Sequence, residues 1–239
     1  MAKRKMVILP YSVYDVSAME YWLEEMARKG LHLDVLAGWY GWFEKGEPAE
    51  TRYRMEPWAG DVPKVDDEME AVYGAAGWEY VQKVVDEHFH IWRSVRPDAR
   101  ELHDDPIVRS FGFDWAFKRT AVRMILMGVV FLALTGMIVG RAWYEAVQPW
   151  TNPWVTSERS FGQRMMLNLL KYAYTMVMIA WFSIWMWMDF TSARRVRTTL
   201  RGGLPLKRRE TVIPYRRVVF WGVWLLYLLV LVATLWLCA

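Results

Sequence analysis

The pattern of apolar and polar residues divides the chain into two parts of different character. Up to about residue 117, short apolar stretches alternate with polar ones at the periods of strands and amphipathic helices. Beyond that point, long apolar runs are separated by polar loops. The first part therefore predicts a folded α+β domain, and the second predicts helices that cross a membrane.

The first part resolves into short predicted elements. A strand at Met6–Tyr14 is followed by a helix, which a capping box of Ser17 and Glu20 opens and Gly30 closes. Further elements are predicted as strands at Leu31–Glu44, Thr51–Glu56, Trp78–Val85 and Phe89–Val95, and as a helix at Asp66–Ala76. This order predicts a ferredoxin-like α+β domain over residues 1–97, with a βαββαβ arrangement and an added final strand. Both helices would then lie on one face of a single antiparallel sheet.

The second part contains three runs of the length that a bilayer requires. Crossing the hydrocarbon core takes about 20 apolar helical residues. We predict three transmembrane helices at about residues 121–143, 169–188 and 218–238, the last of them without a charged residue. Residues 98–117 are predicted to be a linker that lies at the membrane interface, and residues 118–239 form the membrane domain.

Charge is distributed unevenly between the two parts. Residues 1–117 hold 14 Lys and Arg against 22 Asp and Glu, whereas residues 118–239 hold 16 against 4. A basic stretch, Asp189–Arg217, separates the second and third predicted spans. Its bases are Arg194, Arg195, Arg197, Arg201, Lys207, Arg208, Arg209, Arg216 and Arg217. Because basic loops stay in the cytoplasm, we expect a multi-pass protein with a cytoplasmic N-terminal domain and an external C-terminus.

The basic stretch has three interpretations. Its charge can serve orientation alone, it can bind anionic lipid headgroups, or the acidic N-terminal domain can dock on it. Nucleic-acid binding is not expected, because aromatic residues for stacking are sparse there, with Phe190 at the start of the stretch and Tyr215 near its end.

Catalytic and metal-binding patterns are sparse. On one continuous strand, Asp86, His88 and His90 would point the same way, and a fourth ligand for a divalent cation would come from His103, Asp104 or Asp105. A solvated turn at Asp86–Glu87 is the alternative, and we predict no metal site. No nucleophile motif, phosphate loop or HExxH occurs, so we predict no cofactor, no catalytic residue and no enzyme. The single cysteine, Cys238, has no intrachain partner.

Four ordered motifs resemble a known family. They read Trp22-Leu23-x-x-Met26-x-x-x-Gly30-x-x-Leu33, Phe43-Glu44-Lys45-Gly46-Glu47-Pro48, Tyr53-Arg54 and Gly77-Trp78-Glu79-Tyr80-Val81. Over residues 5–95 the chain resembles the bacterial family called domain of unknown function 2812. The resemblance implies a bacterial inner-membrane protein with C-terminal spans, whose gene lies beside PadR-type regulators. It implies no catalytic residues.

These observations predict a non-enzymatic, membrane-anchored sensory or regulatory module whose cytoplasmic domain binds a protein or a small ligand. The alternative is an accessory subunit of a transporter or envelope-stress complex, in which the spans carry the interaction. A third hypothesis, an enzyme acting on lipid, depends on His88 or His90. Gly136-x-x-x-Gly140 permits close helix approach, which leaves a homo-oligomer open.

Overall fold

The computed structural model describes residues 4–57, 65, 67–84, 89–96, 98–102, 105–147, 172–207 and 214–238. The chain forms two compact units. Unit 1 comprises Met1–Ala121 and Met188–Arg217, and unit 2 comprises Val122–Trp187 and Val218–Ala239.

Unit 1 begins with a βαββ segment, which we call the first repeat. Its elements are β1 (Arg4–Ile8), α1 (Val16–Arg28), β2 (Leu31–Leu36) and β3 (Tyr40–Lys45). The strands form an antiparallel sheet in the order β1-β3-β2. The last strand of the segment is therefore the central one.

A second βαββ segment, the second repeat, follows with the same plan. It comprises β4 (Arg52–Pro57), α2 (Asp67–Ala75), β5 (Glu79–Val84) and β6 (Phe89–Ser94), in the sheet order β4-β6-β5. Each sheet has a register shift at the corresponding place, between Leu33 and Val35 in the first and between Tyr80 and Gln82 in the second. The two segments are thus structural repeats, which the sequence analysis did not detect.

The ferredoxin-like prediction is wrong because the chain reverses inside the predicted strand Leu31–Glu44. A tight hairpin, closed by a 2.9 Å hydrogen bond from Ala37 N–H to Tyr40 O, separates β2 from β3. The added strand lets the first repeat complete its own three-stranded sheet. Two small sheets therefore replace the single sheet that was predicted, and α1 and α2 belong to different repeats.

A glycine follows the helix of each repeat. Gly30 has φ +72° and Gly77 has φ +92°, a backbone region that residues with a Cβ avoid. At Gly30 a Cβ would also lie 2.5 Å from the carbonyl oxygen of Gly46. The positive φ explains both glycines, and the close approach is a second reason for glycine at Gly30.

The main core of unit 1 joins α1 to both sheets. Met19 and Leu23 of α1 lie in one buried cluster with Phe43 of β3 and with Met55 and Ile91 of the second sheet. Each such side chain contributes about 1.5–3 kcal/mol when fully buried. A smaller core lies on the other face of the second sheet, where Tyr73 of α2 packs 4.6 Å from Trp92 between ring centroids. The helices α1 and α2 therefore lie on opposite faces of the second sheet.

In the described residues after β6, three long helices follow: α3 (Pro106–Val147), α4 (Ala173–Arg201) and α5 (Tyr215–Cys238). The first three turns of α3 occupy residues 106–117, which were predicted as part of a linker. In the basic stretch, α4 continues as a helix to Arg201, so much of the predicted loop is helical.

The prediction of three transmembrane helices is also wrong. Within the described residues, one helix, Pro106–Glu145, is long and apolar enough to cross a membrane. In α4, the apolar run ends at Asp189 and is followed by four arginines before the helix ends, so the part of this run that the structure describes is shorter than a crossing requires. For the third predicted span the helix is described to Cys238, but the side chains at 230, 231 and 233–238 are not. The multi-pass topology derived from three spans is therefore not supported.

Candidate functional site

Unit 1 holds two clusters of buried charged residues, and part of the basic stretch contributes to one of them. We call this one the helix-end cluster, because it joins the C-terminal half of α4 to the start of α5. Its members are Ser12, Asp15, Asp189, Arg195, Tyr215 and Arg216.

The centre of the helix-end cluster is an ion pair between Asp189 of α4 and Arg216 of α5. Arg216 Nη2 donates to Asp189 Oδ1 at 2.8 Å, and Ser12 Oγ donates to the same oxygen at 2.6 Å. Arg216 also donates through Nη1 to Gly38 O and through its backbone N–H to Pro10 O. The side chains of Asp189 and Arg216 are 9% and 2% exposed. Both helices are therefore joined to the segment after β1 and to the β2–β3 hairpin.

A second contact of this cluster centres on Asp15, at the N-cap of α1. Arg195 Nη2 lies 2.7 Å from Asp15 Oδ2, and the Tyr215 hydroxyl donates to the same carboxylate oxygen at 3.4 Å. The backbone N–H of Ser12 donates to the Tyr215 hydroxyl at 3.0 Å. Burial and the charge of Asp15 raise the pKa of Tyr215, so the phenol stays protonated at neutral pH.

The other bases of the basic stretch differ in their surroundings. Arg197 and Arg201 each lie 2.6 Å from an oxygen of Asp114 in α3, and Arg217 donates twice to Ile8 O of β1. Arg194 and Lys207 have no acidic partner within the described part of the chain. Arg208 and Arg209 lie outside the described residues. Lipid binding and domain docking by this stretch stay predictions.

The second cluster, the glutamate–arginine cluster, consists of Glu20, Arg54, Glu56, Glu101 and Arg109. It lies along the outer edge of β4. Met55 N–H donates to Glu20 Oε1 at 2.9 Å, and Met55 O accepts from Arg109 Nη2 at 3.3 Å. Two side chains thus provide the partners that a neighbouring strand would give this edge.

The carboxylates of the glutamate–arginine cluster differ in their affinity for protons. Burial raises the pKa of Glu20, and the charges of Arg109 and Arg54 oppose that effect in part. The pKa of Glu101 is lowered, because Arg54 donates to both of its oxygens, at 2.8 and 2.7 Å. For Arg54, burial alone would lower the pKa, but the hydrogen bond to Glu101 and the charges of Glu20 and Glu24 raise it above the usual value.

A surface groove of about 260 Å³ lies beside this cluster. It is lined by Glu24, Arg28, Glu50, Thr51, Arg52, Val95 and Arg96. The Arg96 guanidinium has no ion-pair or hydrogen-bond partner among the residues that the structure describes. The groove is smaller and more polar than a typical pocket for an apolar ligand. It suits a charged side chain, a chain terminus or a small polar molecule.

Unit 2 contains an apolar cavity of about 190 Å³ between α4 and α5. Its lining residues are Met178, Trp181, Val223, Trp224 and Tyr227. Because these side chains are apolar or aromatic, the cavity suits a hydrocarbon chain.

The histidines do not form a metal site within the described residues. His32 Nε2 lies 2.8 Å from Glu47 O, and His90 is buried with its Nδ1 3.3 Å from the Tyr80 hydroxyl. Of the other residues in the metal hypothesis, Asp105 is described. The rest lie outside the described residues; they are Asp86, His88, His103 and Asp104. The part of the chain that is described contains no group of three or more metal ligands.

Sequence reasoning missed most of the acidic partners. Glu20 was assigned to a capping box with Ser17, but Asp15 is the N-cap of α1 and Glu20 points to β4 instead. Asp189 was treated as part of a loop. The position of Asp189, directly after an apolar run, was the one available signal for a buried acid there.

The comparisons with known proteins concern the first part of the chain. Residues 15–110 match the family described as Protein of unknown function (DUF2812). The match includes every member of the glutamate–arginine cluster and both repeat glycines. No curated protein and no solved structure matches the chain significantly. The match over residues 15–110 shows that the N-terminal α+β part of the chain contains the DUF2812 domain.

Proposed function

We propose that this chain is a non-enzymatic regulatory module of the bacterial inner membrane, whose N-terminal part binds a protein or a small polar ligand in the cytoplasm. In this proposal α3 is the membrane anchor, since its apolar run is long enough to cross and is not buried within the structure. Anionic headgroups would then attract the bases of the basic stretch that lack acidic partners, such as Arg194 and Lys207.

The observation that carries the proposal is the buried pair Asp189–Arg216. It joins the C-terminal half of one long helix and the start of another to the segment after β1, through Ser12 Oγ and Pro10 O. A displacement of either helix would have to break a buried ion pair, which costs about 3–5 kcal/mol when one partner loses the other. Such a contact has two discrete states, bonded and broken, and a ligand that favours one state shifts the population.

The groove beside the glutamate–arginine cluster is the proposed binding site. It combines a cation without a partner among the described residues, Arg96, with the carboxylates of Glu24 and Glu50. It lies against residues at the start of β4 and after the end of β6, so an occupant would contact the start of the strand whose edge Glu20 and Arg109 hold at Met55. The buried carboxylates of both clusters face arginines, an arrangement typical of structural ion pairs rather than of general bases.

The test is copurification of the full chain from bacterial membranes. We expect a partner, or a ligand seen as a thermal shift, to be retained by the wild type and lost with Arg96→Glu. Lys29→Glu, at an exposed residue outside the groove lining, is the matched control and should retain it. If the two variants behave alike, the groove is not the binding site.

An accessory subunit is the second candidate, and the surface of α3 favours it. Its apolar side chains include Ile125, Val129, Leu132 and Met137, all more than 60% exposed. A Cβ added at Gly136 or Gly140 would meet no described atom within 4 Å. Replacing residues 124–140 by an unrelated apolar sequence should abolish partner binding for an accessory subunit and should leave it intact for a regulatory module.

A further inference from the structure

The first sheet has an apolar face that faces away from α1, which we call the outer face. Met6, Trp42 and Val35 lie side by side across the three strands of this face. Trp39 and Tyr40 continue it at the β2–β3 hairpin, with ring centroids 4.9 Å apart. Met6 is 49% exposed, Val35 40% and Trp39 47%, so an apolar patch meets solvent, bordered on the same face by the ion pair of Arg4 and Glu44.

The repeat relation shows that the equivalent face is buried in the second sheet. There Met55 pairs with Ile91, which pairs with Gln82, in the same register as Met6, Trp42 and Val35. Met55 and Ile91 are fully buried in the main core. The same position in the repeat is therefore covered by protein in one sheet and uncovered in the other.

The outer face has the aromatic composition of a membrane interface. It combines tryptophan and tyrosine, whose rings are apolar and whose N–H and O–H groups are polar. These two residue types concentrate where a bilayer meets water. The equivalent face of the second sheet, which protein covers, uses Met55, Ile91 and Phe89 instead.

The aromatic end of the outer face also lies beside the last charges of the chain. Arg216 donates to Gly38 O at the tip of the hairpin, and Arg217 donates to Ile8 O at the end of β1. None of the residues after Arg217 carries a charge. The hairpin is thus held at the point where the sequence changes from charged to uncharged.

We propose that the outer face of the first sheet contacts the headgroup region of the lipid bilayer, with Trp39, Tyr40 and Trp42 inserted at the interface. The proposal rests on the membrane association proposed above but concerns a surface separate from the groove and from the basic stretch. It makes the first repeat a membrane-contacting layer and leaves the second repeat in water.

The test uses the full chain with Cys238→Ser as background, reconstituted into nanodiscs of phosphatidylethanolamine and phosphatidylglycerol. A single cysteine carrying an environment-sensitive fluorophore is introduced by Gly38→Cys, where an added Cβ meets no atom within 4 Å. Gly74→Cys on α2 has equally open space and is the matched control in the same unit. Leu132→Cys, at a residue of α3 that is 76% exposed, reports membrane insertion of the anchor.

Lipids with a spin label near the headgroup should quench the fluorophore at Gly38→Cys, and should leave the one at Gly74→Cys unquenched. Adding Trp39→Ser should reduce quenching at Gly38→Cys. It should not change the quenching of the fluorophore at Leu132→Cys by lipids whose spin label lies near the centre of the acyl chain. Equal, weak quenching at Gly38→Cys and Gly74→Cys would overturn the proposal for the outer face. If the fluorophore at Leu132→Cys is still quenched in that case, the proposal that α3 is the membrane anchor stands. Loss of quenching at Leu132→Cys would remove both proposals. Self-quenching between labels at Gly38→Cys would show that a second copy covers the face, and would also overturn it.

Discussion

Replacing Asp189 by leucine tests the importance of the helix-end cluster. The change removes the carboxylate and leaves the Arg216 guanidinium, whose side chain is 2% exposed, with Gly38 O as a remaining acceptor. Ser12 Oγ also loses its 2.6 Å acceptor. Leucine has a similar volume, so the loss reports the charge and the hydrogen bonds rather than a cavity.

The magnitude follows from the burial of both partners. Removing one member of a buried ion pair costs about 3–5 kcal/mol, because the other charge stays buried without compensation. For a protein of this size, each kcal/mol lowers the midpoint of thermal unfolding by about 2–4 °C. We therefore expect Asp189→Leu to lower the midpoint by roughly 6–20 °C.

The assay is thermal unfolding of the full chain in nanodiscs, followed by tryptophan fluorescence. Glu79→Gln is the matched control, since its partner Arg93 is 34% exposed and surface pairs contribute at most about 1 kcal/mol. The double variant Asp189→Leu/Arg216→Met leaves no buried charge at this pair and should recover most of the loss. If the double variant is as unstable as Asp189→Leu, an uncompensated charge is not the cause and the reasoning fails.

Three further changes probe other parts of unit 1. Glu20→Ala should speed hydrogen exchange of the Met55 amide and lower the free energy of unfolding by about 1–3 kcal/mol, because that N–H loses its acceptor. Glu20→Gln should preserve the protection of this amide. Equal exchange in both variants would contradict the role of Glu20 at the β4 edge. The lowered pKa of Glu101 means that its contribution to stability is present above its ordinary pKa of 4.5 and is lost as pH falls through the lowered value. Glu101→Gln should therefore flatten the fall in unfolding midpoint between pH 6 and pH 3, and an unchanged profile would refute this assignment. Gly30→Ala should destabilise the protein by about 1–3 kcal/mol or more, because residue 30 has a positive φ and an added Cβ would approach Gly46 O. Gly74→Ala in α2 should be neutral or stabilising. Chemical denaturation of both variants measures the difference.

Local pattern was enough to predict most of the elements of the first part. The helix ending at Gly30, the strand near Thr51–Glu56 and the elements up to Phe89–Val95 correspond to α1, β4, α2, β5 and β6 within one or two residues. These elements carry period and capping signals that depend on a few neighbouring residues.

Pairing between strands was not predictable in the same way. Leu31–Glu44 is apolar on both sides of Gly38, so no change of period shows that the chain reverses there. One missed hairpin changes the strand count of the first repeat and with it the sheet to which every later strand belongs. The error in topology therefore has a single local origin.

The clusters were hidden for a different reason. Ser12 and Asp189 are 177 positions apart, and Glu20 and Arg109 are 89 apart, so no spacing rule connects them. The sequence predicted the bases of the basic stretch as a group, but not which of them would meet a carboxylate. Such partners are decided by the fold of the whole unit.

The way in which Glu20 and Arg109 close the edge of β4 has a consequence for synthesis of the chain. While the ribosome is producing the first hundred residues, Glu20 is present but Arg109 is not, so the carbonyl side of that edge stays open. An open strand edge is a template for pairing with another chain. A recombinant fragment that ends at residue 97 would keep that edge permanently open and should aggregate. A fragment extended to residue 121 contains Arg109, which covers the edge through its hydrogen bond to Met55 O.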